Sequence, residues 1–295
     1  MRHDHSIRPV LLAVAAIALL TCMDALAKHL SAEFHTFQIV MLRYAFTVAF
    51  MVVLVAVQRP GLPRRDRLAA HAGRAALSVV TASSFFYAVG HLPLADTFAL
   101  SFTAPLFIAL FGALFLKEKL RWSISAALVL GFIGMLVIVF ADTRIEAGER
   151  NTLAVACALI SPVAYALGIV LLRSQTAHEP TTVIVFVQSI LVTIFVSPLA
   201  ALDFRAADGT ALATFALAGL LGGIGHLALA AALARTTAAR FSVAEYTGLL
   251  WAALLGYVFF AEVPALAVWI GAALIIGGCA LVARERKPVA PDVPT

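Results

Sequence analysis

Charged side chains are scarce in this chain. Asp, Glu, Lys and Arg make up 13% of its 295 residues, whereas soluble domains carry about 25%. A chain with so few charges cannot cover a water-facing surface, and 62% of its residues are hydrophobic. The composition therefore predicts a protein embedded in a membrane.

The sequence also lacks the short motifs of metal sites and enzymes. Its three cysteines, Cys22, Cys157 and Cys279, lie in apolar runs without a CxxC pair, and no Cys and His residues stand at metal-ligand spacing. Neither HExxH nor the phosphate-binding pattern GxxxxGK[ST] occurs. We therefore expect no metal, no cofactor and no catalytic residue, and any pumping must use a gradient. A membrane enzyme or a channel is the alternative class, and no residue pattern favours either.

Apolar stretches of about 20 residues, the length that crosses a bilayer, follow one another along the chain. Charged residues, Pro or Gly separate them. The predicted spans are residues 9–28, 36–57, 73–91, 94–116, 122–141, 150–172, 181–200, 211–234, 240–261 and 264–283. This pattern predicts an all-α polytopic membrane protein with ten transmembrane helices.

Lys and Arg residues are distributed unevenly between the two sides of these spans, with Arg43 set aside because it lies within the second span. Sixteen fall on the side that holds both termini, and four fall on the other side. Because basic loops stay in the cytoplasm, both termini are predicted to be cytoplasmic in an inner (plasma) membrane of bacterial type. The short basic loops also account for the net charge of +5 without a nucleic-acid partner.

The chain resembles itself at an offset of 144 residues, since the segment 95–139 aligns without gaps with the segment that begins at residue 239. Identical pairs include Ala95/Ala239, Thr103/Thr247, Ala109/Ala253, Leu110/Leu254, Gly112/Gly256, Phe115/Phe259, Glu118/Glu262 and Gly134/Gly278. Each half holds five spans, and because five is odd the second half must enter the bilayer inverted. We predict two inverted repeats, residues 1–146 and 147–288, followed by a cytoplasmic tail at 289–295. Such repeats can alternate between states open to either side.

Several segments resemble the EamA family of the drug/metabolite transporter superfamily. They are Met23 to Lys28 at the end of span one, Arg43 in span two, the proline-containing span four that ends at Glu118, and Tyr246 to Glu262 in span nine. The resemblance implies a bacterial ten-helix carrier, and it favours export of an amino acid or a related metabolite, with proton coupling open. Uptake of a vitamin or a nucleoside-like compound is the alternative. The oligomeric state cannot be read from the sequence.

The same comparison shows one departure from the family pattern. Leu249 stands where the family often repeats the proline found at Pro105. We therefore expect span nine to bend less sharply than span four, so that the two halves would not form a strictly symmetric pair of gates.

Charged groups inside the predicted spans are candidate functional residues, because a charge at the bilayer centre costs from about 2.5 kcal/mol upward. Asp24 and Arg43 lie about 9 Å and 12 Å below the same membrane edge by helix rise. We predict that they form an ion pair. It is either a purely structural contact, or a gate in which the carboxylate is linked to protons. His226 and Glu245 lie in the other half of the membrane, where they could meet across a cavity.

Prolines and aromatic residues complete the candidate site. Pro105 is predicted to remove a hydrogen bond within span four and to free the carbonyl of Ser101, and Pro162 is predicted to act likewise in span six. Aromatic rings with polar tips can bind a flat or amphipathic solute. The predicted cavity residues are Ser84, Tyr87, Ser101, Pro105, Tyr165, His226, Glu245, Tyr246 and Trp251. The alternatives are simple kinks at the prolines and an interfacial belt for the aromatics.

Two further features are interpreted as structural. Glu118 and Glu262 end spans four and nine beside short turns, and we expect them to fix loops rather than to bind solute. Gly219 and Gly223 form a GxxxG pattern in span eight, which is typical of close helix packing in membranes.

Overall fold

A computed structural model describes residues 8–61, 63–91, 100–140, 152–260 and 266–283 of the chain. The α-helices are α1 (Arg8–Leu30), α2 (Thr36–Gln58), α3 (Leu68–His91), α4 (Ala104–Phe115), α5 (Trp122–Phe140), α6 (Thr152–Gln175), α7 (Thr181–Ala200), α8 (Gly209–Leu233), α9 (Ala238–Glu245), α10 (Thr247–Phe260) and α11 (Leu266–Ala283). Short 3-10 turns lie at Arg65–Arg67 and Ala201–Asp203. Glu262 and the predicted tail at 289–295 lie outside the described residues.

Five helical stretches of the described chain are long and apolar enough to cross a membrane: Arg8–Ala27, Thr36–Gln58, Thr152–Gln175, Thr181–Asp203 and Gly209–Leu233. Three shorter helical stretches are also apolar. These findings confirm the prediction of an all-helical protein with several membrane-spanning helices.

Helix ends are set by local capping groups. The Asp208 side chain accepts a hydrogen bond of 2.7 Å from the N–H of Ala211 and so begins α8. Thr237 accepts one of 3.1 Å from the N–H of Arg240 at the start of α9. Both are residues preferred at this position, because their side chains satisfy a backbone N–H that has no partner inside the helix.

The fourth and ninth predicted spans are both interrupted, and at equivalent positions. The helical turn at residues 100–101 gives way to a turn at Phe102 and Thr103 before α4 begins, and α9 is separated from α10 at Tyr246. The hydroxyls of Thr103 and Thr247 each bond to the carbonyl three residues earlier, that of Leu100 and that of Ala244. The ninth span therefore breaks without a proline, while the smaller bend expected of it from Leu249 stays a prediction.

Pro105 also occupies a different position from the predicted one. It lies in the first turn of α4 rather than in the middle of a continuous helix. A proline is favoured there because the first-turn N–H groups have no partner within the helix. The break itself is made by the turn at residues 102–103. Pro162, by contrast, lies inside the continuous helix α6, as predicted.

The largest buried cluster joins helices from both halves of the chain at one end of the bundle. We call the end at which α1 begins the terminal end, and the end at which α1 stops the opposite end. Buried members of this terminal-end cluster include Ala13 and Ile17 of α1, Met51 of α2, Ile108 of α4, Ile169 and Leu172 of α6, Leu233 of α8, and Phe241 of α9. Burial of this apolar surface packs these helices against one another at the terminal end.

Glycines let α8 approach α2 closely. A Cβ atom added to Gly219 would lie 2.8 Å from the carbonyl oxygen of Arg43 and 3.0 Å from the backbone nitrogen of Thr47. The Thr47 hydroxyl donates a hydrogen bond of 2.8 Å to the carbonyl of Gly219, and a Cβ on Gly223 would meet the ring of Phe50 at 2.9 Å. The predicted close-packing role of the GxxxG pattern is confirmed.

Helices α5 and α11 contact each other at two points, and each point contains a glycine. A Cβ on Gly134 would lie 2.8 Å from the carbonyl oxygen of Gly271, and a Cβ on Gly278 would lie 3.0 Å from that of Ala127. The late part of α5 thus meets the early part of α11, and the early part of α5 meets the late part of α11. The two helices pack antiparallel to one another.

The α8–α2 contact predicts which glycine the fold requires. We expect Gly219→Ala to lower the stability of the detergent-solubilised protein by about 1 to 3 kcal/mol, since the added methyl group overlaps backbone atoms of α2. The matched control is Gly168→Ala in α6, where a Cβ would meet nothing within 4 Å. Thermal unfolding followed by tryptophan fluorescence measures both variants. Equal melting temperatures for Gly219→Ala and the parent protein would contradict the close contact.

Candidate functional site

Glu245, the last residue of α9, is held by Tyr165 of α6. The Tyr165 hydroxyl lies 3.1 Å from Oε1 and 3.2 Å from Oε2 of the carboxylate, and donates to it. The two residues are 80 positions apart, and the contact joins the middle of α6 to the break between α9 and α10. The structure thus brings two of the predicted cavity residues together.

Asp24 lies on the side of α1 that faces the protein. Val10, Ala13 and Ile17 of the same face are buried, and a Cβ on Gly248 of α10 would contact Ile17 at 3.5 Å. Asp24 follows Ile17 by seven residues, two helical turns, and therefore points in the same direction. Its side chain is nevertheless exposed. Beyond the terminal-end cluster, this face of α1 therefore borders an open space.

The predicted ion pair between Asp24 and Arg43 is not formed. Of the ion pairs within 4 Å that join described residues, none involves either group. Arg43 instead donates to the sulfur of Met23, and its guanidinium carbon lies 4.6 Å from the centre of the Tyr44 ring. Met23 points toward α8, where it meets Gly222, while Asp24 is rotated by about 100° around α1. That rotation separates the carboxylate from the side of α1 that Arg43 reaches.

His226 and Glu245 do not meet across a cavity as predicted. Nδ1 of His226 lies 2.7 Å from the carbonyl oxygen of Gly222, and since a carbonyl only accepts, this nitrogen carries the proton. The imidazole ring lies beside Tyr44, with ring centres 6.2 Å apart. Glu245 is turned to Tyr165 instead. The acid and the imidazole therefore belong to two parts of one polar region rather than to a direct pair.

These groups are close enough to act on one another electrostatically. Arg43 acts on both Asp24 and His226. Tyr165, which binds Glu245, is in turn within range of Asp24 and Tyr44. Residues of α1, α2, α6, α8 and α9 therefore contribute to one mixed-charge region within the bundle. We call Asp24, Arg43, Tyr165, His226 and Glu245 the central charge cluster.

The remaining predicted cavity residues are placed in different environments. Ser84 and Tyr87 of α3 and Ser101 before the first break are half-buried. Trp251 of α10 packs against the terminal-end cluster. Pro105 is buried in the first turn of α4.

Tyr246 does not line a cavity, contrary to the prediction. It is 0% exposed and belongs to a buried cluster with residues of α4, α5 and α11. Its ring fills the space left by Gly131 of α5, because a Cβ there would overlap ring carbons. Tyr246 is therefore a core residue that packs the break between α9 and α10 against α5.

A buried polar cluster at the terminal end was missed from the sequence. His71 Nε2 lies 2.8 Å from Oε2 of Glu179, and its Nδ1 lies 3.3 Å from Nε2 of Gln175. The other Glu179 oxygen accepts from the backbone N–H of Arg64 at 3.0 Å. His71 and Glu179 read as loop residues in the sequence, since they flank predicted spans. The cluster fastens the α2–α3 loop to the α6–α7 turn.

Glu118 fixes the end of α4, which is consistent with the predicted loop-fixing role. Its carboxylate accepts from the backbone N–H of Ala239 in the first turn of α9 at 3.3 Å and lies 3.6 Å from Arg173. Burial raises the pKa of this carboxyl above its ordinary value, while the Ala239 N–H and Arg173 oppose the rise. A carboxylate at a helix N-terminus is also favoured by the helix dipole.

Comparison with known proteins places these features in a family. The family described as "EamA-like transporter family" matches residues 7–140 and again residues 152–284. A pseudopaline exporter of Pseudomonas aeruginosa is 31% identical over 284 residues, which cover 94% of this chain and 96% of that protein. A riboflavin transporter of Rhizobium johnstonii is 30% identical and covers 83% and 80%.

More distant relatives agree with this assignment. An S-adenosylmethionine uptake transporter of Rickettsia prowazekii is 22% identical and covers 90% of this chain and 88% of that protein. A solved crystal structure superimposes with a TM-score of 0.84 at 21% identity, covering 95% of this chain and 99% of its own, which shows that the fold is shared. Since the family matches both halves of the sequence, the chain belongs to the EamA-like transporter family.

Proposed function

We propose that this chain is a secondary transporter that exports an amino acid or a related small metabolite by alternating access. The observation that carries the proposal is the central charge cluster, in which Asp24, Arg43 and Glu245 form no ion pair with any residue that the structure describes. Charges retained at such depth face a bundle interior or a wet cavity and mark solute or ion pathways. A transporter needs such a hollow midway through the membrane.

The packing of the terminal-end cluster supports the proposal that this hollow opens to one side of the membrane at a time. Helices of both halves, including α1, α2, α4, α6, α8 and α9, meet in it through buried apolar side chains. Asp24 lies beyond the cluster toward the opposite end and is exposed. The arrangement fits a state closed at the terminal end and open at the opposite end.

Helix contacts support the inverted five-helix repeats at residues 1–146 and 147–288. At an offset of 144 residues, Gly134 of α5 corresponds to Gly278 of α11, and Ala127 corresponds to Gly271. Gly134 meets Gly271 and Gly278 meets Ala127, so the two contacts are equivalent to each other. Such a reciprocal contact is what a twofold axis between α5 and α11 produces. Because the two helices are antiparallel, the twofold axis that relates them is perpendicular to both. An axis of this direction lies in the membrane plane, as inverted repeats require.

The relatives support a small metabolite as the solute but differ in the one they carry. Their names include an exporter, an uptake transporter and a riboflavin transporter. Uptake of a vitamin or a nucleoside-like compound is therefore the second candidate. A membrane enzyme or a channel is less well supported, since these relatives are all named as exporters or transporters.

The proposed location is the inner membrane of a bacterium, with both termini in the cytoplasm. The excess of Lys and Arg on the side of the termini supports this orientation. The terminal end of the bundle would then face the cytoplasm, and the open side of the central charge cluster would face outward.

Asp24 and Glu245 are the groups proposed to take part in proton coupling. A carboxylate whose surroundings change between wet and dry during transport exchanges protons with whichever side it faces. Glu245 is suited to this task because Tyr165 donates to both of its oxygens in the present state. A conformational change that moves α6 relative to α9 would remove this donor.

Transport by membrane vesicles tests the function. Everted vesicles and proteoliposomes are supplied with the twenty amino acids, riboflavin or S-adenosylmethionine, with and without a pH gradient. We expect gradient-driven accumulation of an amino acid in everted vesicles, lowered roughly tenfold or more by Glu245→Gln and by Asp24→Asn because each removes a proton acceptor. Glu33→Gln, at an exposed position on the α1–α2 turn, is the control. Unchanged accumulation in both variants would exclude the proton-linked roles.

Disulfide cross-linking tests the inverted arrangement. In a chain without its three native cysteines, we expect Gly134→Cys with Leu274→Cys to form a disulfide, since a Cβ at position 134 lies 3.2 Å from that of Leu274. Twofold symmetry predicts the same for Leu130→Cys with Gly278→Cys. Ile124→Cys with Ala267→Cys, both near helix starts, is the control and should stay reduced. Cross-linking of the control pair alone would mean that the halves run in the same direction.

A further inference from the structure

A carboxylate, an arginine and the start of a helix meet beside the terminal-end cluster. Oε1 of Glu118 lies 3.6 Å from Nε of Arg173, and Oε2 accepts a hydrogen bond of 3.3 Å from the backbone N–H of Ala239. The two side chains are nearly buried, with 9% of Glu118 and 11% of Arg173 exposed. Leu172 and Ala238, which precede Arg173 and Ala239 in the sequence, belong to the terminal-end cluster. The polar contact therefore adjoins the apolar packing of that end.

This contact joins the two segments of the chain that match the family separately. Glu118 lies in the segment 7–140, whereas Arg173 and Ala239 lie in the segment 152–284. Glu118 follows α4, Arg173 lies in the last turn of α6, and Ala239 lies in the first turn of α9. Alternating access requires one repeat to move against the other. A movement that opens the terminal end between α4 and these two helices would therefore break the contact.

The backbone at the end of α4 positions the Glu118 carboxylate. Lys117 has a φ of 54°, in the left-handed region, which turns the chain back at the helix end. The N–H groups of Leu116 and Glu118 both bond to the carbonyl of Gly112, at 3.1 Å and 3.2 Å. A Cβ on Gly112 would lie 3.2 Å from Oε2 of Glu118 and 3.1 Å from the Cβ of Ala238. The carboxylate is thus held between the end of α4 and the start of α9.

Arg173 relies on the Glu118 carboxylate for charge compensation. Its Nε is buried and forms no hydrogen bond with a described residue, and its partner among the ion pairs of the described chain is Glu118. Removing one member of a nearly buried ion pair leaves the other charge uncompensated, which costs more than replacing both members by neutral groups. Water that enters an open terminal end would hydrate either charge and so lower that cost.

We propose that the Glu118–Arg173 ion pair controls the opening of the terminal end. The pair is intact while that end is closed, and it breaks and becomes hydrated when that end opens, so it helps to set the fraction of molecules in each state. This inference rests on the proposed transport by alternating access and goes beyond it by naming a contact on which the balance of the two states depends. In this role Glu118 and Arg173 act on the conformation and do not touch the solute.

Cysteine labelling of the purified full-length protein in detergent tests this inference in a chain without its three native cysteines. Ala244→Cys reports on the terminal-end cluster, in which Ala244 is 1% exposed, and Thr21→Cys, one turn from Asp24, reports on the opposite side of that cluster. Each reporter is combined with Glu118→Gln, with Arg173→Gln and with both. Glutamine keeps an acceptor oxygen for the Ala239 N–H while it removes the charge. The measurement is the rate of reaction with a water-soluble maleimide.

We expect each single variant to raise the reaction rate of Ala244→Cys roughly tenfold and to lower that of Thr21→Cys, because the remaining charge is left uncompensated only in the closed state. The double variant should react within about twofold of the parent at both reporters, since neither charge is then buried alone. Arg235→Gln, exposed at the end of α8, and Glu33→Gln, exposed on the α1–α2 turn, are the controls and should keep the parent rates.

Three outcomes would overturn the inference. Parent rates in both single variants would mean that the pair does not affect the opening. A double variant that reacts as fast as the single variants, or faster, would mean that the two charges act independently. Faster reaction at both reporters would indicate a general loss of packing instead of an exchange between two states.

The transport assay separates this inference from the proposed function. Transport by the parent protein together with any of these three labelling results would leave a transporter whose terminal end is controlled by other contacts. Absence of transport by the parent for every compound supplied would count against the proposed function itself, whatever the labelling shows.

Discussion

The free-energy cost of removing charged side chains from water constrains the structure of this protein. A bilayer interior does not hydrate an ion, so a charged side chain at mid-span must find a partner, a wet cavity or a solute. Asp24, Arg43 and Glu245 lie within the helical spans. Arg43 contacts a sulfur and an aromatic face, and Glu245 accepts a hydrogen bond from a phenol hydroxyl. The helices that carry these charges keep them beyond ion-pair distance of one another.

Close packing elsewhere in the bundle holds the helices that carry these charges in position. Glycines of α8 bring α2 to backbone contact, and the reciprocal glycine contacts join α5 to α11. At the terminal end, apolar residues from both halves close the bundle, while the His71–Glu179 pair fastens the α2–α3 loop to the α6–α7 turn. These contacts are rigid because close-packed interiors resist small displacements. The breaks before α4 and before α10 are the places where the chain leaves this regular packing.

The sequence predicts the helices well and the side-chain contacts poorly, for identifiable reasons. Apolar runs reveal the helices because each must satisfy its own backbone hydrogen bonds in lipid. Depth alone suggested an Asp24–Arg43 pair, but the pairing depends on rotation about α1, which turns Met23 rather than Asp24 toward Arg43. Tyr246 reads as a cavity residue, yet it is buried because Gly131 of a distant helix leaves room for its ring. Tyr165 and Glu245 are 80 residues apart in the sequence, so no local pattern predicts their contact. The identity of Thr103 and Thr247 at an offset of 144 residues is a signal for both breaks, whereas the prediction for span four rested on Pro105.

Side-dependent labelling of single cysteines tests the central claim most directly, namely that the charged hollow opens to one side of the membrane at a time. Thr21→Cys lies one turn from Asp24, and Phe241→Cys lies in the terminal-end cluster. With a membrane-impermeant maleimide, we expect Thr21→Cys to react from the opposite side in the resting protein. When a transported solute is supplied, its labelling should fall as that of Phe241→Cys from the terminal side rises. Simultaneous labelling of both positions from one side, or labelling that does not change with solute, would contradict alternating access.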